Sequence, residues 1–201
     1  SLGSELERQA SEQPEQLALI FEDRNISFGE LNRLANRYAH FFAQQGFKKG
    51  DVVALLMENR PEFLIAATGL SKLGVIVSLI TNGVREEVLA HALSICDARA
   101  MIIGEELLEA YLAIREQVLF QSPAAVYLES KEPHFPLPPR ITWLNPLLND
   151  CPQDNPASTG TINSEDIIVY IYTSGTTGFP KATAVTQKRW LILGNLFTLF
   201  G

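Results

Sequence analysis

Cysteine, histidine and surplus basic charge are scarce in this chain of 201 residues. The two cysteines, Cys96 and Cys151, lie far apart with no C-x-x-C, and His40, His91 and His134 are isolated from one another. That spacing matches no zinc or redox motif. Two reduced thiols and three ordinary helix or loop histidines are expected. Lys and Arg number 16 against 23 Asp and Glu, a formal net charge of −7. A nucleic-acid partner needs clustered cations, so none is expected, although a local loop of an acidic protein can still hold an anion. Residues 1–16 have neither the basic start nor the apolar stretch of a secretory signal. Ser1-Leu2-Gly3 stands where an initiator Met would be and reads as a trimmed or engineered start. The longest apolar run, Phe63 to Ile80, is nearly long enough to span a bilayer but carries Lys72 at its middle. A charge at mid-bilayer costs about 3 kcal/mol or more. The run therefore reads as a buried helix ending near Leu73, followed by a buried strand Val75–Leu79.

What is present suits a real core. The chain is 46% hydrophobic and 19% charged, and its length fits one large domain or part of a larger one. Leu17–Phe21 and Ile26–Phe28 flank Glu22-Asp23-Arg24-Asn25, a hairpin with a four-residue turn. Ser27 with Glu30 three residues on has capping-box spacing. Leu31, Leu34, Ala35, Tyr38, Phe41 and Phe42 then recur at helical spacing until Gly46. Val52–Met57 reads as a buried strand, and Pro61 as the first residue of the next helix. Glu86–Cys96 is expected to be helix, Ala100–Ile103 strand, Glu105–Phe120 helix, Ala124–Leu128 strand and Ile167–Tyr172 strand, with a last helix from Thr186. Short apolar strands alternating with longer helices predict an α/β fold, a mostly parallel sheet with helices on both faces. Residues 131–166 hold seven of the eleven prolines and read as a long surface excursion rather than a second domain.

One segment carries most of the chemistry. Tyr172-Thr173-Ser174-Gly175-Thr176-Thr177-Gly178-Phe179-Pro180-Lys181 follows the apolar run Ile167–Tyr172. Glycines let backbone N–H groups turn toward one point, hydroxyls add donors that rotate to fit, and Lys181 adds a full positive charge. A polar turn of ordinary Gly, Ser and Thr is the bland alternative. The string fits neither G-x-x-x-x-G-K-[ST], because Phe179-Pro180 separates Gly178 from Lys181, nor G-x-G-x-x-G, which needs a third glycine.

The string resembles the phosphate-loop signature of the adenylate-forming (AMP-binding) acyl-CoA synthetase superfamily, Y-T-S-G-[TS]-T-G-x-P-K. Ser27-Phe28-Gly29-Glu30-Leu31-Asn32 with Ala35-Asn36, Lys49-Gly50-Asp51-Val52-Val53-Ala54, and Glu58-Asn59-Arg60-Pro61-Glu62-Phe63 resemble further family segments. Within the superfamily, Ile171-Tyr172-Thr173, Pro180-Lys181-Ala182-Thr183 and Ile80-Thr81-Asn82-Gly83-Val84-Arg85 with Leu89-Ala90-His91 look most like the branch of fatty-acid transport proteins and very-long-chain acyl-CoA synthetases. Ala182 stands where glycine is common elsewhere in the superfamily. The resemblance runs from about Pro14 to Trp190.

The resemblance implies that residues 1–201 are the N-terminal part of an AMP-binding domain. The adenine and ribose contacts, an acidic residue for Mg2+, the acyl tunnel and a mobile C-terminal domain would lie in a further portion of the protein. It implies a reaction in which a carboxylate, here a fatty acid, attacks the α-phosphate of ATP, and coenzyme A then takes the acyl group. By resemblance Thr173, Ser174, Gly175, Thr176, Thr177 and Gly178 wrap the β- and γ-phosphates. Lys181 reaches the same phosphates or holds the loop closed, and Thr177 or Thr176 approaches Mg2+. No catalytic base is nominated, since the carboxylate arrives ionised. The fragment alone is expected to be inactive. A cytoplasmic place, or a peripheral one on the cytoplasmic face of a membrane, is expected. Two other readings stay open: a ligase for another carboxylate (carnitine, an aryl acid, or the amino acid of an adenylation domain), and a non-catalytic nucleotide-binding fragment.

Overall fold

The computed structural model describes residues 1–118, 120, 125–133, 135–173 and 179–200, with the backbone alone for 195–200. The elements run α1 Leu2–Glu12, β1 Leu17–Phe21, β2 Arg24–Ser27, α2 Phe28–Gln44, β3 Val52–Leu56, α3 Pro61–Lys72, β4 Ile76–Leu79 and α4 Glu86–Ser94. They continue with β5 Ala100–Gly104, α5 Leu108–Leu112, β6 Ala125–Glu129, β7 Ile141–Trp143, α6 Leu144–Asn149, β8 Ile167–Thr173, β9 Lys181–Thr186 and α7 Gln187–Phe200. Among the described residues seven strands form one sheet in the order β7-β6-β5-β3-β4-β8-β9. All neighbours are parallel except β8 and β9, which run antiparallel. β1 and β2 form a separate antiparallel pair.

Strand alternation builds two cores. Val53 and Leu55 of β3, Ala100 and Ile102 of β5 and Tyr127 of β6 face the side covered by α2, α3 and α6. Val52, Ala54, Leu56, Met101, Ile103, Val126 and Leu128 face the opposite side, with Leu89 and Leu93 of α4 and Leu108 and Tyr111 of α5. Successive side chains of a strand point to opposite faces, and a sheet buried on both faces therefore reads as an unbroken apolar run. This is the expected α/β architecture.

Local signals explain the boundaries. Ser27 Oγ accepts from the Glu30 backbone N–H and starts α2, satisfying one of the donors a helix start leaves free. Gly46 follows α2 with φ +77°, a conformation glycine adopts without a Cβ penalty. Pro61 occupies the first turn of α3. The 63–80 run is α3 followed by β4, and among the described residues no helix is long and apolar enough to cross a membrane.

Three expectations change. The hairpin turn is two residues, Glu22-Asp23, because Phe21 pairs with Arg24; Glu22 takes φ +51° to close it. The helix expected over 105–120 is a 3-10 turn at Glu105–Leu107 and then α5, with only five residues. The apolar spacing persists to Ile114, but that residue is reached by turns whose N–H groups bond three residues back, and Arg115–Gln117 beyond it bury nothing. Residues 131–166 do more than cross the surface. Ile141–Trp143 joins the sheet edge beside β6, and Leu144 and Leu148 of α6 enter the core. Proline density masks this short strand, since prolines cluster before it and break any period.

One polar cluster ties the layers together. Lys72 is fully buried, and its Nζ donates to Asn32 Oδ1 at 2.5 Å, Asn36 Oδ1 at 2.6 Å and Glu7 Oε1 at 3.0 Å. The Nδ2 groups of Asn32 and Asn36 donate in turn to Asn155 Oδ1, and Asn36 also to the Gln153 carbonyl. Burial lowers the Lys72 pKa, against the opposing pull of Glu7.

Candidate functional site

β8 and β9 bracket the glycine- and hydroxyl-rich segment. β8 pairs with β4 and β9 pairs with β8, with Thr173 opposite Lys181. The segment thus leaves the carboxyl end of a parallel strand, where open α/β sheets bind ligands. β9 itself escaped sequence reading. Ala182 and Ala184 are small, and the strand is exposed over Lys181–Ala184, so no burial pattern marked it. β-branched Thr183, Val185 and Thr186 were the available signal.

Of the expected nucleotide-binding residues, the structure places Thr173 and Lys181 side by side, both exposed. Ser174, Gly175, Thr176, Thr177 and Gly178 lie outside the described residues, and with them the Mg2+ role of Thr177. Lys181 has no ion pair among the described residues. Among those residues no three His, Cys, Asp or Glu side chains gather as a metal site.

The flanks of the segment rest on α4. On the near side, Tyr172 Oη donates to the Ala92 carbonyl at 3.0 Å and lies 2.7 Å from Ser78 Oγ. Ala92 belongs to the last turn of α4, whose carbonyls lack helical donors, so the phenol fills one of those vacant positions. Burial, then the neighbouring Cys96, pushes the Tyr172 hydroxyl well above its ordinary range, and it stays protonated. On the far side, the Phe179 ring lies 4.8 Å from that of His91, tilted by 41°.

A second polar cluster lies at the carboxyl end of β6. Arg60 forms ion pairs with Glu62 at 3.2 Å, with Glu106 at 3.4 Å and with Glu129, while Arg24 pairs with Glu62 at 2.7 Å. Burial raises the Glu129 pKa, and Arg60 counters this only in part. Burial also pushes Glu62 up, but the Arg24 hydrogen bond and the nearby cations more than offset it, leaving its pKa lowered. Sequence reasoning missed this cluster, because Arg60, Glu106 and Glu129 meet only through the sheet order and Arg24 joins from the separate β1-β2 pair through Glu62.

The family model described as "AMP-binding enzyme" matches residues 6–198. The chain is 38% identical over 183 residues to long-chain fatty acid transport protein 1 of Rattus norvegicus, covering 90% of this chain and 28% of the relative. It is 31% identical over 191 residues to the medium/long-chain-fatty-acid–CoA ligase FadD6 of Mycobacterium tuberculosis, covering 95% of this chain and 30% of the relative. Among solved structures it resembles the inhibitor-bound N-terminal domain of FACL13 from Mycobacterium tuberculosis, with TM-score 0.79, 28% identity, and coverage of 92% of this chain and 44% of that one. The anthranilate CoA ligase AuaEII in complex with anthranoyl-AMP superposes with TM-score 0.84 over 97% of this chain and 36% of that one; at 24% identity this speaks for the fold alone. The chain thus spans less than a third of the length of these two relatives, and over nearly all of its own length it belongs to the AMP-binding enzyme family.

Proposed function

We propose that this chain is the phosphate-gripping part of an ATP-dependent ligase that activates a fatty acid and passes it to coenzyme A. The observation that carries the proposal is the Tyr172–Lys181 string at the carboxyl end of β8, in a chain of the AMP-binding family. The names of its relatives, fatty acid transport protein and fatty-acid–CoA ligase, support the choice of acid. A carboxylate oxygen attacks the α-phosphorus of ATP and the bond to pyrophosphate breaks, so charge builds on the leaving group. Thr173, Ser174, Gly175, Thr176, Thr177 and Gly178 supply donors to the β- and γ-phosphates, and Lys181 supplies a cation. Preorganised donors aimed at developing charge lower such a barrier directly. Each hydrogen bond to a charged oxygen contributes about 1.5–3 kcal/mol, so several acting together matter more than any one. The thiol of coenzyme A then attacks the acyl carbon and AMP leaves. The nucleotide enters as its Mg2+ complex, and no described residue is assigned to the metal.

The test is ATP–pyrophosphate exchange by the whole protein with a panel of carboxylates. Exchange that depends on a fatty acid supports the reading. Exchange with aryl or amino acids alone would replace the substrate, and ATP binding without any exchange would leave a nucleotide-binding protein instead.

A further inference from the structure

α4 touches both flanks of the nucleotide segment through two consecutive residues. Ala92 offers its carbonyl to the Tyr172 hydroxyl at 3.0 Å. His91 offers its ring to Phe179 at 4.8 Å. Tyr172 immediately precedes Thr173, and Phe179 and Pro180 immediately precede Lys181. The two contacts therefore fix the chain on entry to the segment and on exit from it. A third anchor comes from the sheet. Ser78, fully buried on β4, lies 2.7 Å from Tyr172 Oη. Because the phenol spends its one proton on Ala92, Ser78 is the donor in that pair. The phenol oxygen is thus held from a helix and from a neighbouring strand at once, which restricts the Tyr172 ring in two directions.

We propose that Tyr172, Ser78 and His91 are positioning residues for ATP: α4 and β4 set the separation and direction of Thr173 and Lys181, the two described ends of the ATP-binding segment. None of the three is assigned a contact with the nucleotide. Their effect is on preorganisation, since donors held in place before binding cost less to order when the phosphates arrive. The side chains of Thr173 and Lys181 are exposed, so the helix and strand that hold Tyr172 and Phe179 supply that order. This inference rests on the reading of residues 173–181 as the ATP-binding segment.

The test uses the whole protein with three conservative variants. Tyr172→Phe keeps the ring and removes the hydroxyl. Ser78→Ala removes its partner, whereas Ser78→Thr keeps a hydroxyl. Losing one net hydrogen bond from the anchor is expected to raise the ATP Kd, by direct titration, about two- to tenfold. The KM for the carboxylate is expected to stay unchanged, and Ser78→Thr is expected to restore wild-type ATP affinity. Phe179→Ala is expected to weaken ATP binding in the same way from the other flank. Tyr170→Phe, two residues upstream on the same strand face, is the control and leaves ATP binding unchanged. Unaltered ATP affinity in Tyr172→Phe and Phe179→Ala would overturn the proposal. So would a loss of carboxylate and ATP affinity in equal measure, which marks a general structural defect. Lys181→Ala separates the two levels of inference. If Lys181→Ala weakens ATP binding and Tyr172→Phe does not, the anchoring role is wrong and the ATP segment stands. If neither variant changes ATP affinity, the ATP reading itself has failed.

Discussion

Replacing Lys72 by Met tests the polar cluster that joins α1, α2 and α3. The ammonium is fully buried and gives its protons to two amide oxygens and one carboxylate within 3.0 Å. Met fills similar space but donates nothing. Asn32 and Asn36 cannot turn their amides around to compensate, because both Nδ2 groups already bond Asn155 and Asn36 also bonds Gln153. Two acceptors would stay buried and unsatisfied, at about 1–3 kcal/mol each. Removing one partner of a buried ion pair costs about 3–5 kcal/mol in comparable cases. Opposing this, Met no longer has to desolvate a charge, the effect that lowers the Lys72 pKa. Glu7 keeps 22% of its side-chain exposure and can recover water. The net expectation is a loss of about 3 kcal/mol, read by urea unfolding of the chain through tryptophan fluorescence. In an Asn36→Leu background the same substitution is expected to cost less, since one of the stranded oxygens is gone. A Lys72→Met variant within 0.5 kcal/mol of wild type, on the scale of an exposed site, or more stable than wild type, would refute the reasoning.

Two further outcomes follow from the packing and the charges. A Cβ on Gly69 would lie 2.6 Å from Tyr38 Cβ and press on the Ala35 carbonyl, where α3 crosses α2; Gly69→Ala is expected to lower stability by about 1–3 kcal/mol through overpacking, and a higher melting temperature would mean that helix propensity outweighs the clash. The raised Glu129 pKa gives a pH signature: the folded state holds a proton that the unfolded state has released above about pH 4.5, so the contribution is full below that pH and is lost as pH rises through the folded-state value. Glu129→Gln is expected to gain stability relative to wild type as pH rises from 4.5 to 7, and a difference that is flat or falls with pH, in paired unfolding curves, would contradict the assignment.

The legible part of the fold was the part governed by local rules. Ser27 with Glu30, Pro61 and Gly46 marked helix boundaries because capping and backbone restriction act over a few residues. The runs Val52–Met57 and Ala100–Ile103 announced buried strands because they are unbroken apolar stretches, and every position of β3 and β5 is buried. β9 stayed hidden because its first four residues are exposed and two of them are alanine. The tightening of the chain after α5 was hidden by periodicity that continues to Ile114 in a different winding. The anchors of the candidate site are long-range: Tyr172 meets Ser78 and Ala92 only because β8 lies beside β4. A sequence names the residues of such a site, and the sheet order decides which of them meet.

The most direct measurement is fatty-acid-dependent ATP–pyrophosphate exchange by the whole protein, with and without Lys181. The Lys181 side chain is exposed at the start of β9, so Lys181→Ala should leave the fold intact. The rate is expected to fall tenfold or more, equivalent to at least about 1.4 kcal/mol of transition-state stabilisation. An unchanged exchange rate would contradict the assignment of residues 173–181 to the ATP phosphates.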